Sequence, residues 1–430
     1  MTRQQVRDSV LILGNFRPTL TVARALSEEG FHVIVSEADD KAAGARYSRF
    51  VDEMWDHPDL HAEAGATFKQ ALKLLLNQRP DITTIFPAAE KFVVWLANNK
   101  NDLPANITVV SPEASLVDLC LDKVKMLDLA SRAGIACAPY AEVETLDELY
   151  KKSRKLGYPL IVRPFSSQNL LGHKKAIICQ SHDELLAAFS TWPGKQSGLL
   201  LQRYVTGIRH NFYFIAVNGE LQSLLNTLIT RTDHVDGTGF ATEGVHIAVP
   251  RTFKKDIQRL VQELEYTGIG GIQFIHDPDT GEATFLELNP RNGGNFRCAE
   301  AVGMPLTRSA LQLARGKTDL GLDPAHSYPT GIYYCWLTGD LYGLKEAIAH
   351  GEISLGGVVV WIFQMIRSLL RSRIHLVFTW RDPMPPIALL LRHAGRLLAV
   401  RLGFRDDTQS QTAGLAREES ITPAAIKADH

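Results

Sequence analysis

The 430-residue sequence has little cysteine, and what it has is scattered. Cys120, Cys137, Cys179, Cys298 and Cys335 show no Cys-x-x-Cys spacing, which speaks against a zinc ribbon or a disulfide framework and for a reducing, cytoplasmic setting. Net charge is nearly absent as well, with 46 Lys and Arg against 47 Asp and Glu and a formal charge of −1. Without a global excess of either sign, no nucleic-acid partner is expected. No run reaches 18 uninterrupted apolar residues, so no spanning helix is expected. Arg3, Arg7 and Asp8 precede the first apolar run, unlike a secretory leader. What remains is an ordinary globular composition, 45% hydrophobic and 22% charged, long enough for two or three domains.

The first of these opens with VLILG (10–14), a short buried-type run. A helical period follows over 15–30 and ends at Gly30, and FHVIVSEAD (31–39) is a second strand. Strand, helix and strand in this order predict a parallel, Rossmann-like sheet. A dinucleotide fingerprint is missing, because Gly14 stands alone where three glycines are needed, so NAD is rejected although Glu37 sits where a ribose-binding acid would. A third strand, ITTIFPAAE (82–90), ends in Glu90. Ligands of open α/β sheets bind beyond the carboxyl ends of the strands, which makes Asn15, Arg17 and Glu90 candidate substrate contacts.

The densest chemistry lies in 268–297, GIGGIQFIHDPDTGEATFLELNPRNGGNFR. Two apolar strands flank DPDTGE, a turn by composition. Alternation puts Phe285, Glu287 and Asn289 on one face, and symmetric folding about the turn brings Gln273 roughly opposite Glu287. One carboxylate and two amide oxygens form a hard-oxygen set suited to Mg²⁺ when phosphates complete its shell. Arg291, just beyond, offers a bidentate fork to those phosphates. The plainer reading makes Glu287 an edge-strand acid and Arg291 its surface partner, but a Glu and an Asn on one face of a buried-type strand are costly without a purpose.

These residues carry a family resemblance. LELNPRNGG resembles the metal-binding strand of the ATP-grasp superfamily, and GIQF resembles the form found in the carbamoyl phosphate synthetase large subunit. The resemblance extends over about 10–320. It implies that Gln273, Glu287 and Asn289 hold Mg²⁺ or Mn²⁺ and that Arg291 stabilises the transferred phosphoryl group. DKVKMLDLASRAGIACAP (122–139) resembles the family's Asp-Lys helix, with Lys123 placed for a nucleotide phosphate, and YPLIVRP (158–164) resembles its basic strand, with Arg163 in that role. GLLLQRYVTGIRHNF (198–212) resembles the hinge strand, which implies nucleotide contacts from Gln202, Tyr204 and Val205; His210 stands where relatives place a ribose-binding Glu. The loop SSQNLLGHKKA (166–176) departs from the glycine-rich family lid, with Gly172 alone beside Ser166, Ser167, His173 and Lys174. In 224–247, Arg231 is the residue expected to fix an acceptor carboxylate, with Thr242, Glu243 and His246 nearby in sequence.

The resemblance implies a Rossmann-like domain over 1–112, two ATP-grasp lobes over 113–200 and 201–320, and a mixed α/β and α+β fold. Residues 353–405 carry eight arginines against Asp382 and form a helical, basic and apolar extension. This extension, assigned 321–405, is expected to pack on the core with arginines outward; the sharper reading is a membrane-surface or partner-docking element. Residues 406–430 read as a disordered tail. The function implied is ATP-dependent joining of a small carboxylate to an amine through an acyl phosphate, in a cytoplasmic enzyme that forms a homodimer. A bicarbonate-using carboxylase and a nucleotide-binding protein without turnover are the alternatives.

Overall fold

Short apolar runs without polar alternation suit strands covered on both faces. In the computed structural model, which describes residues 7–38, 44–60, 65–165, 171, 174–192 and 198–391, such runs become β1 (Ser9–Leu13), β2 (His32–Ala38) and β4 (Ile82–Pro87), and the more polar β3 (Glu53–His57) and the short β5 (Thr108–Val109) flank them. They pair in parallel in the order β3-β2-β1-β4-β5, the expected Rossmann-like sheet. The helix Arg17–Glu28 follows β1; Gly30, at φ +94°, ends it in the left-handed conformation that glycine adopts without strain.

The chain divides into two compact units that are not continuous in sequence. Among the described residues, the first takes those up to Val117, then Asn211–Ile272 and those from Asn289 on; the second takes Asp118–His210 and Gln273–Leu288.

The second unit contains an antiparallel sheet of β6 (Tyr140–Val143), β7 (Leu160–Pro164), β8 (Ile177–Cys179) and β9 (Leu199–Arg203), in the order β6-β9-β7-β8. Leu149, Leu160, Val162, Leu185 and Leu201 form its apolar core. The helix Leu146–Leu156 starts from a reciprocal cap between Thr145 and Glu148. Of the lid residues, Ser166, Ser167, Gly172 and His173 lie outside the described residues.

A seven-stranded sheet takes β10 (Ile208–Val217), β11 (Glu220–Thr232), β12 (Ala241–Ile247), β13 (Gly268–His276), β14 (Ala283–Asn289), β15 (Tyr333–Cys335) and β16 (Ile374–His375), in the order β14-β13-β10-β11-β12-β15-β16. The DPDTGE turn closes as composition predicts: Asp277 N–H donates to the Glu282 carbonyl at 2.9 Å and Gly281 N–H to the Asp277 carbonyl at 2.8 Å. The largest core of the first unit joins Val10 and Leu20 to Tyr213, Phe296, Tyr334 and Leu376. Stretches far apart in sequence are therefore one packing unit. Arg24 and Asp382 reinforce it, both nearly inaccessible, with Arg24 Nη2 at 2.8 Å from Asp382 Oδ2 and Ser48 Oγ donating to the same oxygen at 2.7 Å.

The extension is helical over Leu355–Arg371 and begins at the Ser354 cap, whose oxygen accepts from Gly357 N–H. Its arginines are not all outward. Arg371 turns inward, pairing with the buried Glu243 and covering the Tyr333 ring at 4.2 Å. Only Trp361 and Ser368 of this helix are buried, and its other apolar side chains largely face solvent. Desolvated ion pairing has drawn an arginine in where the pattern put it out. Arg392, Arg396, Arg401 and Arg405 of the extension and the 406–430 tail lie outside the described residues. Among the described residues, no helix is long and apolar enough to cross a membrane.

Candidate active site

In the second unit, Arg163 is the next-to-last residue of β7 and pairs with Leu200 of β9, and Gln202 lies two residues further along β9 on the same face. Arg163 is 8% exposed, and Nη2 donates to Gln202 Oε1 at 2.9 Å. Its Nε–H, also buried, has no hydrogen-bond partner among the described residues. Burial pulls this guanidinium below the usual arginine range, and the Glu287 carboxylate partly offsets that. A buried guanidinium with one neutral amide partner and a spare donor is expensive unless an anion completes it. Lys123, first residue of the helix Lys123–Arg132, extends Nζ to the Phe165 carbonyl at 3.4 Å, two residues past Arg163. Asp122 caps that helix by accepting from the Val124 and Lys125 N–H groups, so the lysine's backbone is fixed.

The hinge candidates follow on the same unit. Tyr204 N–H donates to the Pro159 carbonyl at 3.0 Å. His210 is buried and meets His276 edge to face at 5.7 Å. Gln273 and Glu287, both half-buried, stand on the neighbouring strands β13 and β14, and Asn289 ends β14. Phe274 and Phe285 pack edge to face at 5.7 Å beside them.

In the first unit, the segment after β14 meets two residues that begin helices of the opening domain. Arg291 reaches Glu90, at the start of the helix Glu90–Asn99, through Nε at 2.9 Å and Nη2 at 2.5 Å. Arg17 donates to Asn295 Oδ1 at 3.1 Å and lies 3.4 Å over the Trp336 ring. Gly294 permits this approach, because a Cβ there would collide with Arg17 Nη2. Asn295 in turn donates to the Tyr334 hydroxyl at 3.2 Å. Three candidates from the first ninety residues thus fare differently: Arg17 and Glu90 meet the segment Arg291–Asn295, while the buried Asn15 side-chain nitrogen has no hydrogen-bond partner among the described residues. Glu37 binds Arg46 at 2.8 Å instead.

Arg231 points into a buried polar cluster. It forms a two-pronged pair with Asp340, at 2.6 and 3.2 Å, and lies 3.9 Å from Glu243. Burial raises the Asp340 carboxyl despite Arg231. His246, on β12 with Glu243, is 1% exposed, and among the described residues neither ring nitrogen has a hydrogen-bond partner; burial lowers it to about 4. Asp340 and Trp336 had no signal in the sequence, since each lies in a segment without a motif. Their only advance mark was a polar or aromatic residue in an otherwise apolar stretch.

Part of the chain resembles the ATP-grasp ligases. The family model that matches is the carbamoyl-phosphate synthase L chain ATP-binding domain, over residues 122–235 and 241–321. Among individual proteins, the carbamoyl phosphate synthase large chain of Xylella fastidiosa (strain Temecula1 / ATCC 700964) is 24% identical over 342 residues, 76% of this chain and 29% of that protein. The arginine-specific large chain of Bacillus subtilis (strain 168) is 24% identical over 238 residues, 53% of this chain and 22% of that one. The chain spans less than a third of the curated relatives it matches. Similar solved folds include the biotin carboxylase domain of Hydrogenobacter thermophilus 2-oxoglutarate carboxylase, with TM-score 0.60, 16% identity and 77% and 74% coverage of the two chains. N5-carboxyaminoimidazole synthetase from Staphylococcus aureus gives 0.55, 15%, and 76% and 80%.

Proposed function

We propose that this protein is an ATP-dependent carboxylate–amine ligase that works with Mg²⁺. The observation that carries the reading is Arg163, buried, paired to one amide and holding a spare Nε–H donor. A nucleotide phosphate supplies an acceptor for that donor, with Lys123 as a second cation. Tyr204 carbonyl and Val205 N–H read the base, and His210 lies toward the ribose.

Gln273, Glu287 and Asn289 fit Mg²⁺ by donor chemistry, one carboxylate and two amide oxygens. Among the described residues no group of three or more His, Cys, Asp or Glu could hold a metal. This set accordingly relies on amides and on phosphate oxygens. The metal, when bound, supplies charge neutralisation between phosphates. Arg291, oriented by Glu90, offers its fork to the charge that develops during transfer to the substrate carboxylate. Arg231 is the proposed anchor of the acceptor side. Catalysis of this kind is positioning plus electrostatics and needs no covalent nucleophile.

Calorimetric titration of Mg·ATP into the wild type and Glu287→Ala tests the nucleotide site: one-site, magnesium-dependent binding that the substitution weakens is expected. ADP release is then screened against carboxylate–amine pairs. Release that depends on bicarbonate alone would replace the ligase reading with a carboxylase, and ATP binding without any release would leave a nucleotide-binding protein.

A further inference from the structure

Most of the large apolar side chains exposed among the described residues fall within Leu355–Leu391. On the helix Leu355–Arg371 they are ordered. Leu355, Val359, Phe363, Ile366 and Leu370 follow the 4-4-3-4 spacing of one helix face, and they are 88, 67, 68, 48 and 81% exposed. A separate stripe of the same helix, through Trp361 and Ser368, faces the protein. The helix therefore has two apolar faces, and its own unit covers one. By its length the uncovered face runs roughly 25 Å, at about 1.5 Å per residue. Contiguous exposed apolar surface of this kind marks an interaction site.

The charge around this face selects the partner. In 353–391 the charged residues are Arg367, Arg371, Arg373, Arg381 and Asp382. Asp382 is 1% exposed and held by Arg24, and Arg371 is turned in to Glu243. The charges this segment presents to solvent, on Arg367, Arg373 and Arg381, are all positive, although Arg381 also reaches the exposed Glu28 at 3.3 Å. Arg367 sits four residues after Phe363 and three before Leu370, on the edge of the apolar stripe. Trp380, 88% exposed, neighbours Arg381. A second copy docked face to face would set arginine against arginine with no acid of this segment to answer it, since a two-fold interface brings like surfaces together. A layer of anionic headgroups over hydrocarbon answers both the charge and the apolar stripe.

We propose that Leu355–Leu391 is a docking surface for an anionic lipid bilayer. The helix lies along the membrane plane with Phe363, Ile366 and Leu370 in the acyl boundary, while Arg367, Arg373 and Arg381 meet the phosphates. This inference stands apart from the ligase reading.

The test is co-sedimentation of the full chain with vesicles of phosphatidylcholine alone and of phosphatidylcholine with an equal share of phosphatidylglycerol. Binding at least tenfold tighter to the anionic vesicles, and weakened by salt, is expected. Phe363→Ser/Leu370→Ser should lower it at least tenfold with an unchanged melting temperature and unchanged Mg·ATP binding; Arg367→Glu should reduce it as well. No binding to anionic vesicles overturns the proposal, as does full binding by the double variant. Light scattering that shows a dimer broken by Phe363→Ser/Leu370→Ser, with no vesicle binding, would assign the face to a second copy and overturn it too.

Discussion

Arg291 grips Glu90 with two nitrogens across 201 residues of sequence. The pair holds the guanidinium plane while its remaining nitrogen, Nη1, donates to the Asn292 carbonyl at 3.2 Å. If this arginine stabilises a transferring phosphoryl group, its orientation matters as much as its charge. Arg291→Ala should lower ADP release by about 100-fold or more, and Glu90→Gln, which keeps a hydrogen bond but loses the ion pair, by about tenfold. Steady-state turnover at saturating ATP reads both. Glu90→Ala at the wild-type rate would reduce the pair to a structural clasp.

Arg163 carries a different cost. Its burial lowers the guanidinium below the usual range, and one donor has no acceptor among the described residues. Arg163→Met should weaken Mg·ATP binding by tenfold or more without lowering the melting temperature of the nucleotide-free protein, because a poorly paired buried charge contributes little to folding. A large loss of stability with unchanged nucleotide affinity would assign Arg163 to the core instead.

Arg231 and Asp340 form a buried two-pronged pair, and each is costly without the other. Arg231→Met should destabilise the protein by about 3–5 kcal/mol, as breaking one side of a buried pair does. Arg231→Met/Asp340→Leu should recover most of that loss in chemical denaturation. Its kinetics then separate two roles: a raised KM for the carboxylate substrate in the stable double variant fits an acceptor anchor, and recovery of KM together with stability fits a purely structural pair.

His246 sets an acid limit. Its buried imidazole protonates at about 4 in the folded protein, below the ordinary value of 6.5, owing to burial. The unfolded chain takes up the proton first as pH falls. The stability tied to the neutral ring is therefore complete above pH 6.5 and is lost between 6.5 and about 4, on the order of 3 kcal/mol in all. His246→Phe, which removes the titration without removing a hydrogen bond, should flatten the stability profile across that range. Denaturant midpoints at several pH values check it; an unchanged slope would place the acid sensitivity elsewhere.

The sequence made legible what local pattern controls. Apolar runs and Gly30 marked the first sheet and its helix, and the DPDTGE turn marked the β13–β14 hairpin, because each depends on residues within a few positions. Arg163 stood out for a related reason: it is a charge within an otherwise apolar run. The partners were not. Nothing local links Glu90 to Arg291, Arg17 to Trp336 or Arg231 to Asp340, because those pairings arise only when distant segments share one core. The extension shows the same limit from the other side. Hydropathy identified its amphipathic helix, but the direction of Arg371 depended on Glu243, a buried carboxylate more than a hundred positions earlier.

The Arg24–Asp382 pair has a consequence for the order in which the chain can finish folding. Synthesis runs from the N-terminus, and β1, its helix and β2 leave the ribosome long before residue 382 is made. Until then Arg24 has no Asp382, and the oxygen that takes its Nε–H and Nη2–H is missing. Ser48 and the Arg49 N–H, which bond the same carboxylate, wait as well. The nascent opening domain therefore emerges with the Arg24 guanidinium and two neutral donors, the Ser48 hydroxyl and the Arg49 N–H, lacking their carboxylate. Its closure is a late event, and a ribosome stalled shortly before residue 382 would display a protease-sensitive N-terminal domain that becomes resistant once Asp382 is released.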